Sequence, residues 1–197
     1  MPQPTWIVCL AGLLAVFSHT AAAQSNSNWG VVVNGRAVHI NASREWNEDN
    51  WGLGFEHEFA SSTPWVKLAL ANGFKDSVGN PSYMAGGGIK RRFTLGSRDF
   101  HVDLGGVAFV MTRKDVNHDE PFPGLLPAAT FGFKRVALNL TYMPELVVDR
   151  VTNSKKHDPT MEGVFFLQLK LDASLLGFGR RGRQWLADSN LADSNTD

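Results

Sequence analysis

Apolar and polar positions alternate at period two through most of the chain between residues 31 and 172. The alternating runs lie near 31–41, 50–60, 65–74, 83–93, 99–111, 125–133, 135–143 and 163–172. Period two is the side-chain period of a β-strand. Runs of about ten residues, rich in glycine and parted by turn residues, are the pattern of strands that cross a membrane as a barrel. The links between them alternate strictly in length. Ser61-Ser62-Thr63-Pro64, Thr94-Leu95-Gly96-Ser97-Arg98 and the turn near Phe133-Lys134 are short, whereas 42–49, 75–82, 112–124 and 144–162 are longer and polar. Short turns at one rim and long loops at the other are the signature of an outer-membrane barrel. The expected fold is therefore all-β: an eight-stranded antiparallel transmembrane β-barrel of the outer-membrane type. A lipocalin-like soluble barrel shares the strand pattern, so the faces must choose between them.

Each run has one face that is continuously apolar or small, as lipid contact requires. Leu53, Phe55 and Phe59 oppose Gly52, Gly54, Glu56 and Glu58, and Val102, Leu104, Ala108 and Val110 oppose His101, Asp103, Val107, Phe109 and Met111. In the last run Phe165, Leu167, Leu169 and Leu171 oppose Phe166, Gln168 and Lys170. In the third, Val66, Leu68, Leu70 and Phe74 are assigned to lipid, and Lys67, Ala69, Ala71 and Gly73 to the lumen. With the short turns periplasmic, the lumen face divides along the barrel axis. Glu56, Glu58, Lys67, Lys90, Arg92, His101, Asp103, Gln168 and Lys170 fall in the inner half, where opposite charges can pair. The outer half receives Gly52, Gly54, Ala69, Ala71, Gly73, Met84, Gly86, Gly88, Val107, Phe109, Met111 and Phe166. Those residues either plug a small barrel or line a pocket for one hydrocarbon chain, since eight strands leave room for about one small ligand.

Composition narrows the setting. Lys+Arg and Asp+Glu balance at 19 each, which gives no electrostatic case for nucleic acid. Residues 1–23 read as a signal peptide: Trp6 to Phe17 is an apolar core and Thr20-Ala21-Ala22-Ala23 a small-residue cleavage site. The only cysteine, Cys9, lies inside it, so the remaining chain cannot be a disulfide scaffold. Residues 24–172 are assigned to the barrel and 173–197 to a disordered tail that repeats Leu-Ala-Asp-Ser-Asn.

Phe74-Lys75-Asp76-Ser77 ends the third run and opens an outer loop. Asp and Ser at such a point ordinarily bond the backbone of a turn. His39 ends the first run at the same rim, above the apolar half of the lumen. A hydroxyl, an imidazole and a carboxylate suit acyl transfer, with His taking a proton from the attacking hydroxyl. By residue type alone His57, His101, His118 or His157 could serve as well.

A group of motifs resembles the PagP family of outer-membrane lipid A palmitoyltransferases. They are Asn47-Glu48-Asp49-Asn50-Trp51-Gly52 with Gly54-Phe55, Phe74-Lys75-Asp76-Ser77, and Ala85-Gly86 with Gly88. Pro121-Phe122-Pro123-Gly124-Leu125-Leu126-Pro127 and Thr141-Tyr142-Met143-Pro144 follow, in the same order and at nearly fixed spacing. The resemblance implies transfer of a palmitoyl group from a glycerophospholipid donor to lipid A in the cell outer membrane. It implies His39, Asp76 and Ser77 as the catalytic group, Gly88 as the floor of the acyl pocket, and Pro127 and Pro144 beside a lateral gap that admits lipid. No metal-ligand cluster or phosphate loop stands in the sequence, so neither metal nor other cofactor is expected. A monomer or homodimer is expected, with no nucleic-acid partner. The chain departs from the family in a leading helix that is short or absent, a shorter first loop, Asn50 where the family has proline, and the tail. Two rival readings go with these departures: a lipid-binding or structural barrel without catalysis, and an outer-membrane lipid hydrolase.

Overall fold

The computed structural model describes residues 27–43, 45–96, 99–114, 117, 120–144 and 160–177. The signal segment, most of the tail, His118 and His157 lie outside the described residues. Eight strands follow one another: β1 (Asn28–Ile40), β2 (Asp49–Glu58), β3 (Trp65–Lys75), β4 (Pro81–Thr94), β5 (Phe100–Thr112), β6 (Phe122–Phe133), β7 (Val136–Pro144) and β8 (Gly163–Asp172). Each pairs antiparallel with the next, and β8 returns to β1 to close the barrel. Closure leaves no sheet edge, the condition for strands to cross lipid. The largest departures from the expected strand starts are in β1, which begins at Asn28 instead of 31, and β6, which begins at Phe122 instead of 125. Ala173–Leu176, at the start of the predicted tail, form a short 3₁₀ helix, with the Asp172 side chain accepting from the Ser174 N–H.

The outward face is a belt of exposed apolar residues, among them Leu53, Phe55, Leu104, Val110, Leu125 and Leu138. Trp29, Phe59, Trp65, Phe100 and Phe133 ring the inner rim, and Trp51 and Tyr83 stand at the outer one. Aromatic girdles flanking an apolar band mark the two membrane interfaces.

The lumen face follows the expected parity in β2, β5 and β8, and β3 departs from it. In β3, Val66, Leu68 and Asn72 are buried and Leu70 and Phe74 point inward, while Lys67 and Ala71 are exposed on the lipid side. Both faces of β3 are mostly apolar or small, and the sequence assignment followed Lys67 while overlooking Asn72 on the opposite parity. The place of Lys67 two residues from the inner rim lets a long ammonium side chain reach water at the interface, and the large side chains fill the lumen instead.

The inner half of the lumen is packed with charges that satisfy one another. Arg92 donates to both Asp103 oxygens at 2.8 Å and to Glu58 at 3.0 Å. Lys170 donates to Glu56 at 2.6 Å and also to Glu58. Lys90 donates to Thr130 at 2.8 Å, Thr130 to Asn139 at 2.7 Å, and Asn139 to Glu56 at 3.1 Å. Burying such groups is tolerable only with this degree of pairing. Above them lies an apolar cluster of Leu68, Val107, Phe109, Met111 and Leu126, against which Leu70, Phe74, Met84, Phe122 and Met143 pack.

Candidate active site

A cavity of about 150 Å³ occupies the outer half of the lumen. Leu70, Phe74, Met84, Val107, Phe109 and Phe166 are among its walls, and Glu56, Lys90, Thr130, Asn139 and Gln168 of the charged layer lie at its base. Its mouth is built from His39, Trp46, Asn50, Asp76, Ser77 and Arg113.

His39 reaches this mouth through a register shift in β1. Asn34 pairs with Gln168 of β8 and Ala37 with Phe166, so β1 spends three residues where β8 spends two. Side chains alternate along a strand, and one extra residue reverses the alternation. Asn34 is inward before the shift, and Ala37 and His39 are inward after it. Without it His39 would share the outward face of Trp29 and Val33.

The imidazole is placed from several sides. Its Nε2 lies 3.1 Å from the Ser77 hydroxyl. Its Nδ1 faces Glu48, with Oε1 at 3.7 Å, inside ion-pair range but longer than a hydrogen bond. Trp46 stacks on the ring, with centroids 5.3 Å apart and planes 9° from parallel. Both Trp46 and Glu48 belong to the first outer loop and its entry into β2. Asn50 secures that entry: it is buried, its Oδ1 accepts from Ala37 N–H at 3.2 Å, and its Nδ2 donates to the Lys75 carbonyl at 2.7 Å. Asn47 continues the seam, its N–H donating to the Ser77 carbonyl and its side chain to the Asp76 carbonyl, each at 3.0 Å. The first outer loop thus ties the end of β1 that carries His39 to the loop that carries Ser77.

Asp76 and Ser77 divide their work. Asp76 Oδ1 accepts from Val78 N–H and Asn80 N–H, each at 2.9 Å, while Oδ2 accepts from Arg113 Nε at 3.3 Å. Asp76 therefore does the turn chemistry that its type predicts. It shapes the loop that contains left-handed Gly79 (φ 84°) and anchors an arginine at the mouth. Ser77 instead turns its hydroxyl to His39.

The other expected residues fall as follows. Gly88 points inward on β4 between its partners Leu68 and Val107. A Cβ there would stand 2.8 Å from Val107 Cγ1 and 2.7 Å from the Gly106 carbonyl oxygen, so Val107 covers Gly88 and presents the cavity surface in its place. Pro127 and Pro144 flank a break in the wall. The β6–β7 ladder stops at Ala128–Thr141, although β6 stays paired with β5 out to Phe122 and β7 with β8 out to Pro144. A proline has no N–H to give a ladder. The cavity lining includes Pro123, Leu125 and Ala129 of β6 and Leu140 of β7, whose parity is outward, so the cavity reaches the lipid face through this break. His57 stands between Trp29 and Phe59 near the inner rim, and His101 lies 3.9 Å from Asp103 in the charged layer, so neither is at the mouth. Sequence reasoning missed Glu48, Trp46 and Arg113. Glu48 lies inside the motif that runs from Asn47 to Gly52, and an acid near a candidate base was the available signal. Among the described residues no cluster of His, Cys, Asp and Glu could hold a metal ion.

The chain is a closed eight-stranded barrel of the outer-membrane type, with an apolar lumen cavity and a His–Ser pair at its mouth. The sequence profile of the family described as "Antimicrobial peptide resistance and lipid A acylation protein PagP" matches residues 30–152, and the chain belongs to that family. It is 31% identical over 101 residues to a protein of Methylobacillus flagellatus named lipid A acyltransferase PagP, covering 50% of this chain and 53% of that protein. Proteins of the same name from Musicola paradisiaca and Shigella boydii serotype 4 are 33% identical over 103 residues and 36% over 101, with 51% and 50% of this chain covered and 53% of each of those proteins. The chain spans about half the length of the curated relatives it matches.

Proposed function

We propose that this barrel is an acyltransferase of the outer membrane that moves a palmitoyl chain from a glycerophospholipid to lipid A. The observation that carries the reading is the 3.1 Å contact between His39 Nε2 and Ser77 Oγ at the mouth of an apolar cavity that opens sideways to lipid. The acyl chain of the donor enters between β6 and β7 and lies among Leu70, Phe74, Phe109 and Phe166, which brings its ester to the rim. His39 Nε2 takes the proton of a hydroxyl as that oxygen bonds the ester carbonyl carbon. The carbonyl–oxygen bond to glycerol then breaks, and the departing alkoxide recovers the proton from His39. The attacking hydroxyl is that of the lipid A acceptor in a single step, or that of Ser77 in a two-step route that passes the chain on. The Arg113–Asp76 pair holds a cation at the rim, where lipid phosphates would lie. The name of the relatives supports lipid A as the acceptor, and the longer links 41–48, 113–121 and 145–162 on the side of the His39–Ser77 pair support a rim at the outer leaflet.

The test is expression of the full chain in a bacterium lacking this activity, followed by mass spectrometry of lipid A. A gain of one palmitoyl is expected, with Ser77→Ala and His39→Asn each lowering the rate by about 10²–10⁴-fold while the barrel still inserts. No gain from a correctly inserted barrel would overturn the reading. Free fatty acid without acceptor gain would make the protein a hydrolase.

A further inference from the structure

Two carboxylates lie at the mouth, and their surroundings differ. Asp76 accepts from the amides of its own loop and from Arg113. Glu48 is turned towards His39: its Oε1 stands 3.7 Å from Nδ1 and accepts from the His39 backbone N–H at 3.3 Å. Its other oxygen accepts from Arg36 Nη2 at 2.9 Å, which fixes the carboxylate from the solvent side. The segment that carries Glu48 is pinned by its own backbone, since the Glu48 carbonyl accepts from Ala37 N–H at 3.0 Å. An ionised carboxylate can only accept hydrogen bonds. A carboxylate 3.7 Å away favours a hydrogen on the ring nitrogen that faces it, and that tautomer would leave Nε2 to accept from the hydroxyl of Ser77.

We propose that Glu48 is the positioning residue of His39, holding the ring with Nδ1–H towards the carboxylate and Nε2 aimed at the mouth to take a proton there. The assignment rests on the acyl-transfer reading above for its purpose but not for its geometry. Trp46 clamps the face of the ring, Glu48 its edge, and the short first loop delivers both. Asp76 shapes the loop that carries Ser77, and its carboxylate is spent there.

The experiment uses the full chain, refolded in detergent micelles and labelled with ¹⁵N at histidine. Long-range proton–nitrogen correlation reads which ring nitrogen of His39 is protonated, with the resonance identified by its loss in His39→Asn. The Nδ1–H form is expected to dominate in the neutral ring, and Glu48→Ala should shift the population towards Nε2–H. In the transfer assay, with phosphatidylcholine as donor and purified lipid A as acceptor, Glu48→Ala should lower kcat by about tenfold to a hundredfold at unchanged KM. Glu48→Asp should recover part of that loss. A wild-type ring protonated mainly on Nε2, a tautomer that ignores Glu48→Ala, or an unchanged kcat would each overturn the proposal. If the wild-type chain transfers nothing, the acyl-transfer reading falls and the nitrogen spectra alone decide the role of Glu48.

Discussion

The inner half of the lumen is filled by Glu56, Glu58 and Asp103 set against Lys90, Arg92 and Lys170, whereas the outer half is lined by Leu, Met, Val and Phe around a cavity. Both halves are built on the same strands, at the same parity except in β1, where the register shift reverses it. They differ in what each side chain leaves behind. Charged groups in a narrow barrel converge on one another's oxygens and protons and close the layer beneath the outer cavity, leaving a pocket of about 100 Å³ beside Glu58, Arg92 and Lys170 at the inner rim. Apolar groups make no such demand, so they leave room, while Gly86 and Gly124 let Phe109 lie close against the wall. The two halves meet at Glu56, Lys90, Thr130, Asn139 and Gln168, which belong to the charged network or its rim and also form the cavity base. A base held by that many hydrogen bonds fixes the depth of the pocket more firmly than a layer of methyl groups would.

The largest effect should come from breaking the charged half. Lys170 bridges Glu56 and Glu58 and is buried. Lys170→Met would leave the Glu56 and Glu58 carboxylates without the cation they share. A loss of about 3–5 kcal/mol is expected, the scale for removing one partner of a buried ion pair. Urea unfolding of the barrel in lipid vesicles, followed by tryptophan fluorescence, reads it. If the comparison holds, the molecules that remain folded keep their acyl-chain preference, because the apolar half is untouched. An equal stability with a changed preference would mean the two halves are not separable in this way.

How legible these halves were in the sequence varies by residue. The strand positions were legible because period two is written into nearly every run, whereas the loop lengths do not alternate strictly: the link 76–80 between β3 and β4 is no longer than the turn 95–99 between β4 and β5. The charged layer was legible because Glu56, Lys90, Asp103 and Lys170 each sit on the lumen parity of a strand whose other face is apolar. β3 was not, because Leu68 and Ala69 are both acceptable to lipid, and Lys67 and Asn72, on opposite parities, pointed in opposite directions. The inward turn of His39 was invisible for a different reason. It arises from a register mismatch between β1 and β8, and register belongs to a pair of strands, not to one. Asp76 and Ser77 could be found as a pair, but their separate tasks depend on the positions of Val78, Asn80 and Arg113 in space.

A smaller effect is expected from changing the depth of the apolar half without touching the charges. Gly88 is covered by Val107, so Gly88→Met must push Val107 into the cavity or enter it alongside. Either outcome shortens the pocket. Competition between donors carrying palmitoyl and myristoyl chains should shift towards the shorter chain by about 10–200-fold, the range for adding or removing a methylene in a tight apolar site. The Gly106 carbonyl near the new Cβ will cost some stability. Val107→Ala serves as the opposite variant, since it deepens the cavity and should relax the preference towards longer chains. Unchanged palmitate selection in both variants would remove this wall from the measure of chain length.

The smallest effect concerns the way in. The β6–β7 ladder ends at Ala128–Thr141, yet β6 and β7 both continue for several residues towards the outer rim, each held by its other neighbour. Two causes could keep them apart. One is chemical, because Pro127 and Pro144 cannot donate to a ladder there. The other is steric, because Leu126 and Met143, both facing the lumen on the two sides of the break, occupy its inner side. Pro144→Ala separates them, since it restores one donor and leaves the apolar side chains in place. If the missing donor keeps the wall open, the variant should zip further, and transfer should slow by about two- to fivefold, in line with the modest net worth of one hydrogen bond. The backbone amide introduced at position 144 should then exchange slowly with deuterium. If packing keeps it open, exchange at that amide stays fast and the rate is unchanged. The first outcome would make the apolar half a pocket whose entrance is set by backbone chemistry, while the second would make the entrance a property of the same side chains that form the cavity.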